Sequence, residues 1–469
     1  MSRTIHESVA SRGQSMEGVV RVTGDDVEVL DADAVRSDLI EQLAWTNAFG
    51  EGDAQEAARW LVRRIAVAMG AYPASIQDLY MAAARGEYHN ITTPAINVRT
   101  DTVEFAGTIF RAAQATGTKQ VLLELAKSEN GYTNQPPAEF ATSIMAAAVK
   151  VGWEGPVMIQ GDHFQANRKK YADNPEAEIE AVRKHALAAI AAGYQNIDID
   201  CSTLVDLDRP TLKEQQELNS RHTADLTKAI RDSEPEGVTV SVGAEIGEIG
   251  TENSNVDDLA AFWEGYEEEL AKLGGDITPV SKISVQTGTS HGGVVLADGT
   301  IADVAVDFEA LGSLSTAARE IGMGGAVQHG ASTLPEEAFG KFAEANAVEV
   351  HLATAYQNAF YDSEHFPSAL RDEIYAHLDE AHASERKDGM SDLQFYYKTR
   401  KNGFGPFKKQ IWSIPDEIKA AIYAEIQPRF ERVMHELGVA GQSALVDKYI
   451  KPVDVKIPAP QALTDALAN

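Results

Sequence analysis

Short β-branched, apolar runs alternate with amphipathic stretches along most of this chain. The runs at Ile91–Val98, Gln120–Leu125, Pro156–Gln160, Asn196–Asp200, Val238–Glu245, Lys282–Thr287, Ala326–Gln328 and Ala347–Leu352 read as strands. Between them, Thr102–Ala115, Ala138–Val151, Glu176–Ala192, Leu212–Asp232, Val256–Leu273, Phe308–Ile321 and Glu336–Ala345 carry apolar residues at helical spacing. Eight strand candidates separated by helices match the count of a (β/α)8 barrel. A doubly wound open sheet is the alternative, but it wants a glycine-rich turn after the first strand, where Asn97-Val98-Arg99-Thr100 stands instead. The pattern therefore predicts an α/β chain built on a (β/α)8 TIM barrel at residues 75–360. An N-terminal helical extension at 1–74 precedes it, with helices near Ala34–Phe49 and Ala54–Met69. An irregular and helical C-terminal region at 361–469, with a long helix near Asp416–Leu437, is expected to pack on the barrel.

Composition changes this picture mainly at the surface. With 469 residues, 44% of them hydrophobic, the chain can bury a large core. Lys and Arg number 41 against 71 Asp and Glu, a formal charge of -30 that repels phosphodiester backbones and anionic lipid. Nucleic-acid and membrane partners are therefore not expected, and an anionic substrate would need local cations, backbone N–H groups or a metal. A lone cysteine, Cys201, rules out an intrachain disulfide and any cysteine-built zinc knuckle. The polar start, Met1 to Glu17, lacks the pattern of a secretory signal, and no apolar run is long enough to span a bilayer. A soluble, cytoplasmic protein is the expectation.

Barrel enzymes place their chemistry at the C-terminal ends of their strands. Those ends carry Asp162-His163, Asp198-Ile199-Asp200, Glu245-Ile246-Gly247, Ser290-His291-Gly292 and His329-Gly330-Ala331-Ser332. Three imidazoles and a carboxylate (His163, His291, His329 and Glu245) suit zinc, which takes about four N and O ligands and keeps a position open in catalytic sites. Any one histidine at a strand end is more often an ordinary polar residue; three on one rim reverse that balance. His185 and His222, in helical segments, and His377, His382 and His435 near the C-terminus lack this setting and read as surface residues. Asp198 and Asp200 alternate with isoleucines, and one is expected at the barrel mouth with the other facing outward. Gly292, Gly330 and Ser332 place small residues and a hydroxyl where backbone N–H groups can approach an anion.

With these residues in hand, the chain resembles the class II fructose-bisphosphate aldolase family over about Ser75 to Gln357. The resemblance is carried by Ser75-Ile76-Gln77-Asp78-Leu79, Thr93-Pro94-Ala95-Ile96-Asn97-Val98, Lys127-Ser128-Glu129-Asn130-Gly131 and the strand-end motifs above, in order and at matching spacing. It implies a carbon–carbon lyase of glycolytic carbohydrate metabolism, cleaving a ketose bisphosphate through a zinc-stabilised enediolate. Zinc or another divalent metal would sit on His163, His291 and His329, with Glu245 and Asp200 as associated acids and a monovalent cation nearby. Asp162 matches the aspartate that assists proton transfer at the aldehyde oxygen. The enolising base falls in Glu248-Ile249-Gly250-Thr251-Glu252-Asn253, with Glu252 preferred over Glu248. Asn97 and Ser128 fall in the substrate-binding set, and a small sugar phosphate and a homodimer or larger homo-oligomer are the implied partners.

Departures accompany the matches. Where the family shows Asn-x-Asp-Thr after strand eight, the chain is aligned at Glu349-Val350-His351-Leu352, which sets a glutamate beside the expected phosphate. His351 is the residue available to compensate it. Arg400, in Tyr396-Tyr397-Lys398-Thr399-Arg400, is similar to a family arginine that binds the far phosphate. Three other readings stay open: an aldolase with a different or non-phosphorylated donor, a metal-dependent sugar isomerase or epimerase, and a non-catalytic aldolase-like subunit.

Overall fold

The computed structural model describes residues 16–247, 253–288, 296, 306–331 and 334–468. Two short antiparallel strands, β1 (Val20–Thr23) and β2 (Asp26–Val29), come first, and β3 (Ala71–Pro73) leads into the barrel. Parallel strands β4 (Thr93–Asn97), β5 (Leu122–Ala126), β6 (Gly155–Gln165), β7 (Asn196–Asp200), β8 (Ser241–Gly247), β9 (Lys282–Val285), β10 (Ala326–Gln328) and β11 (Glu349–Leu352) follow in spatial order. They close when β11 pairs with β4, Glu349 opposite Thr93 and Leu352 opposite Ile96, giving a closed 8-stranded (β/α)8 barrel. Strand β3 lies outside the ring, paired with the first residues of β6.

Local sequence explains most element ends. Thr211 caps the helix Leu212–Arg231, with Glu214 closing the capping box, and Asn255 does the same for Val256–Leu273 with Asp258. Each satisfies backbone N–H groups that the first helical turn leaves without partners. The expected helix Glu336–Ala345 is interrupted: a 3-10 turn at Glu336–Ala338 is followed by a short helix at Gly340–Glu344. The β1–β2 hairpin was not expected from the sequence pattern. Among the described residues, no helix is long and apolar enough to cross a membrane.

Both flanking regions lie against the ring of helices. Helices Ile40–Phe49 and Gly52–Ala68 pack on Pro137–Lys150, where Asn47 Nδ2 donates to the Glu139 carbonyl at 2.9 Å. The long helix Asp416–Glu436 packs along Thr102–Thr116, with Phe430 and Tyr423 edge-on to Phe105 and Lys419 paired with the buried Asp101. The last segment returns to the first: Arg64 bridges Asp26 and Asp454 at 2.7 and 2.8 Å, and Trp60 Nε1 donates to the Ile457 carbonyl at 2.9 Å.

The strands turn an unusual set of side chains inward. Barrel interiors are normally filled by branched apolar side chains. Here Glu124, Gln160, Asp198, Lys282 and Glu349 are all buried and bonded to one another. Asp198 and Asp200 both belong to this inward face, contrary to the expectation that one would point out. Residues two apart in a strand share a face, so Ile197 and Ile199 take the outer one. Gly243 makes room at the centre: in register it neighbours both Asp198 and Lys282, and a Cβ there would lie 2.3 Å from Asp198 Oδ1 and 2.8 Å from Lys282 Cε. Gly243→Ala is therefore expected to destabilise the barrel by about 1–3 kcal/mol through overpacking, measured as a lowered midpoint of denaturant unfolding with unchanged slope.

Candidate metal and substrate site

Two adjacent residues of a regular strand point to opposite faces, yet Asp162 and His163 both reach the barrel mouth. The cause is local. The β6 register against β7 shifts between Gly161 and Phe164, and His163 takes a left-handed conformation with φ 41°. A bulge of this kind re-aims a side chain, and a non-glycine residue held left-handed costs about 1–3 kcal/mol that the surroundings must supply.

The bulge brings His163 against residues from three other strands. Its Nδ1 lies 2.8 Å from Glu245 Oε2 on β8 and 3.4 Å from Asp200 Oδ2 on β7. Its ring centroid is 3.8 Å from that of His329, which follows β10, and His329 Nε2 is 2.9 Å from Ser284 Oγ. One donor atom each from His163, Asp200 and Glu245 lie within 4.8 Å of one another, as do those of Asp162, His163 and His329. Asp200 is held in place by its neighbours, its Oδ1 accepting from Ser202 N at 3.0 Å and Ser202 Oγ at 2.7 Å.

The charge balance of this cluster bears on what it can hold. Glu124, Asp162, Asp198, Asp200, Glu245 and Glu349 crowd the interior and mouth, and Lys282 is the ammonium set among them. Burial pushes the Glu124 carboxyl up to about 8 and that of Asp198 up to about 6. At Glu349 burial is outweighed by Lys282 and His351, which bring it down to about 2. Burial disfavours a charged His163, but Asp162 and Glu245 outweigh it and hold the imidazole well above the ordinary histidine range. At Asp162, His163 and His351 outweigh burial and hold the carboxyl well below its usual range. Protons on histidines thus balance carboxylates here, and a divalent cation among N and O donors does the same with two charges at one point. The donor set fits such an ion.

Above the cluster opens a cavity of about 620 Å³, within the range of small-molecule sites. Asn97, Ser128, Asp162, His163, His329 and His351 are among its lining residues, and its rim carries the cations Arg99, Lys127, Lys170 and Lys401, with Glu129 paired to Arg99 and Glu178 to Lys127. Arg99 is steered by Glu129, whose Oε1 accepts from its Nε at 2.6 Å, and by Gln357, whose Oε1 accepts from its Nη1 at 2.8 Å. This rim supplies the local cations that a chain of charge -30 needs to receive an anion.

The structure thus brings together Asp162, His163, Asp200, Glu245, His329, Asn97, Ser128, Gly330 and His351. Glu252, with its alternative Glu248, and His291, Gly292 and Ser332 lie outside the described residues. Two expectations are corrected. Arg400 does not line the cavity: Nη1 and Nη2 grip Asp362 at 2.6 and 3.0 Å, and Nε donates to Asn358 at 3.2 Å. Its neighbour Lys401 reaches the rim instead. Glu349 does not face substrate either, because it is fully buried beneath His351 and bonded to Lys282 and Tyr80. The groups that face the cavity stand further along the chain, at His351, Ala353 and Thr354. The expected repulsion between Glu349 and a phosphate disappears with that placement.

Sequence reasoning missed Arg99 and the interior set of Glu124, Gln160 and Lys282. A lone acid within Leu122-Leu123-Glu124-Leu125, and a lysine opening the short strand Lys282-Ile283-Ser284-Val285, were the available signals.

The sequence family described as fructose-bisphosphate aldolase class-II matches residues 74–442. No curated protein sequence matches the chain. Among solved structures it is similar to a "probable tagatose 6 phosphate kinase" from Sinorhizobium meliloti 1021, at 17% identity and TM-score 0.54, over 76% of this chain and 99% of that one. It is also similar to the glycerol-complexed fructuronate-tagaturonate epimerase UxaE from Cohnella laeviribosi, at 13% identity and TM-score 0.50, over 93% of this chain and 90% of that one. The fructose-bisphosphate aldolase from Campylobacter jejuni is 16% identical over 77% of this chain and 94% of that one, with TM-score 0.46. At these identities the structural likeness shows the fold alone.

Zinc added to metal-free protein is expected to raise its thermal midpoint, with about 2.7 kcal/mol of added stability at a free-ion concentration 100 times Kd. An unchanged midpoint with no ion retained after desalting would show that protons alone balance the cluster.

Proposed function

The chain belongs to the class II fructose-bisphosphate aldolase family, and on that premise we propose that it catalyses reversible aldol cleavage of a phosphorylated ketose. The reading is of the fructose 1,6-bisphosphate kind, releasing dihydroxyacetone phosphate and an aldehyde. One observation carries it: histidines and carboxylates from separate strands meet at the floor of a cavity whose rim is cationic.

His163 and His329, with Glu245 and Asp200, are the proposed holders of a divalent cation, zinc by donor type, and His291 joins them from the sequence alone. Bound there, such a cation supplies Lewis-acid stabilisation of negative charge on a substrate oxygen. The other roles belong to the chain's own groups. Asp162 borders both histidines, its Oδ1 3.7 Å from His163 Nε2 and 3.9 Å from His329 Nδ1. Its proposed role is to exchange a proton with the oxygen of the departing aldehyde. Glu252 is proposed to take the proton beside the ketone. Thr354, Ser128 and the backbone at Gly330 offer hydrogen bonds to hydroxyl and phosphate oxygens, and Arg99 and Lys401 face an anionic end.

An epimerase is the second reading, since the same donor set and cavity would serve it. It needs the metal and a base but releases no second carbonyl compound, so product analysis separates the two. With zinc-loaded protein, fructose 1,6-bisphosphate is expected to yield two carbonyl fragments, and dihydroxyacetone phosphate to exchange a carbon-bound proton with deuterated solvent. Glu252→Ala is expected to slow that exchange by about 10²-fold or more; exchange at the wild-type rate would remove Glu252 from the mechanism. His329→Ala is expected to lose tight zinc binding, and one equivalent bound at unchanged affinity would refute the ligand set.

A further inference from the structure

We propose that His351 is a positioning residue for Asp162, and that Lys282 and Glu349 form the mount that holds it. The inference rests on the aldolase reading above.

The argument follows the hydrogen bonds outward from Asp162. One carboxylate oxygen, Oδ2, accepts from Asn97 Nδ2 at 2.9 Å. The other, Oδ1, lies 3.1 Å from His351 Nδ1. Glu124 Oε1 is 3.0 Å from the same nitrogen but finds no aligned hydrogen-bond donor, so Asp162 receives that bond. The opposite ring nitrogen, Nε2, lies 2.6 Å from Glu349 Oε1. An imidazole is a rigid link between two acceptors on opposite sides of its ring. Asp162 is therefore oriented as firmly as Glu349 is held.

Glu349 is held from every side. Its Oε1 also accepts from Lys282 Nζ at 2.6 Å and Gln160 Nε2 at 2.7 Å, and its Oε2 accepts from Tyr80 OH. Lys282 Nζ has three acceptors for its three protons: Glu349, Gln160 Oε1 at 2.8 Å and Asp198 Oδ2 at 3.0 Å. Apart from Tyr80, which comes from the helix Gln77–Ala84, these groups come from β6, β7, β9 and β11, so the mount is built into the barrel wall rather than into a loop. A site carried on rigid elements keeps the sub-ångström placement that proton transfer requires.

His351→Asn and Glu349→Gln in the full-length, zinc-loaded enzyme test this. Asp162 is assigned to the aldehyde half of the reaction, so its misplacement should slow carbon–carbon cleavage more than donor proton exchange. For His351→Asn, kcat for cleavage is expected to fall by about 10²-fold more than the exchange rate, with KM changed little and one equivalent of zinc retained. Glu349→Gln, which touches no substrate, should shift the same ratio in the same direction by about tenfold. Equal loss of exchange and cleavage, or loss of zinc from His351→Asn, would overturn the inference by making His351 a metal ligand or a purely structural residue. Cleavage at the wild-type rate in His351→Asn would overturn it too. Wild-type enzyme with neither exchange nor cleavage would overturn the aldolase reading and this inference together.

Discussion

Lys282 is the constraint around which this barrel is organised. An ammonium placed among carboxylates inside a protein is stable only if each of its protons finds an acceptor, because removing one partner of a buried pair costs about 3–5 kcal/mol. Glu349, Asp198 and Gln160 provide those acceptors, and the absence of a side chain at Gly243 leaves room for the approach. The polar layer this creates takes the place of the branched apolar layer that usually fills such a barrel. It also supplies a firm floor of fixed hydrogen bonds beneath the mouth.

On that floor the site is assembled by a fault in one strand. The bulge in β6 sends Asp162 and His163 the same way, and the left-handed backbone at His163 is tolerated because its ring is gripped by Glu245 and Asp200 and lies tilted against that of His329. The surplus of carboxylates then favours cations of either kind, protons on imidazoles or a divalent ion among mixed donors. A cationic rim sits a short distance above, on a molecule that is otherwise strongly acidic. Cations thus line the cavity beyond the histidine and carboxylate cluster, in keeping with the proposed substrate, which bears an anionic end and a polarisable carbonyl.

The flanking regions serve the same centre less directly. The C-terminal region delivers Lys401 to the rim and anchors Arg400 on Asp362, so two adjacent basic residues have opposite fates. The N-terminal helices and the final segment clasp one another through Arg64, Asp26 and Asp454 and close over helices that position β6.

All eight barrel strands were legible in the alternation of short runs and helices, because even the strands with a polar inner face keep apolar, mostly β-branched residues on the face that meets the helices. The histidines and acids at strand ends were legible for a related reason: closure of the barrel brings every strand end to one rim. What the sequence could not determine was direction. Whether His163 joins Asp162 depends on a bulge, and whether Glu349 or His351 meets the cavity depends on register. Whether Arg400 or Lys401 reaches the rim depends on a 3-10 turn at Arg400–Gly403. Each turns on how a segment is rotated or how far along the barrel axis a residue stands, and a chain of local preferences carries no information about it. Only the packing of the other strands and the pairing of buried charges, which are contacts between residues far apart in sequence, select one orientation.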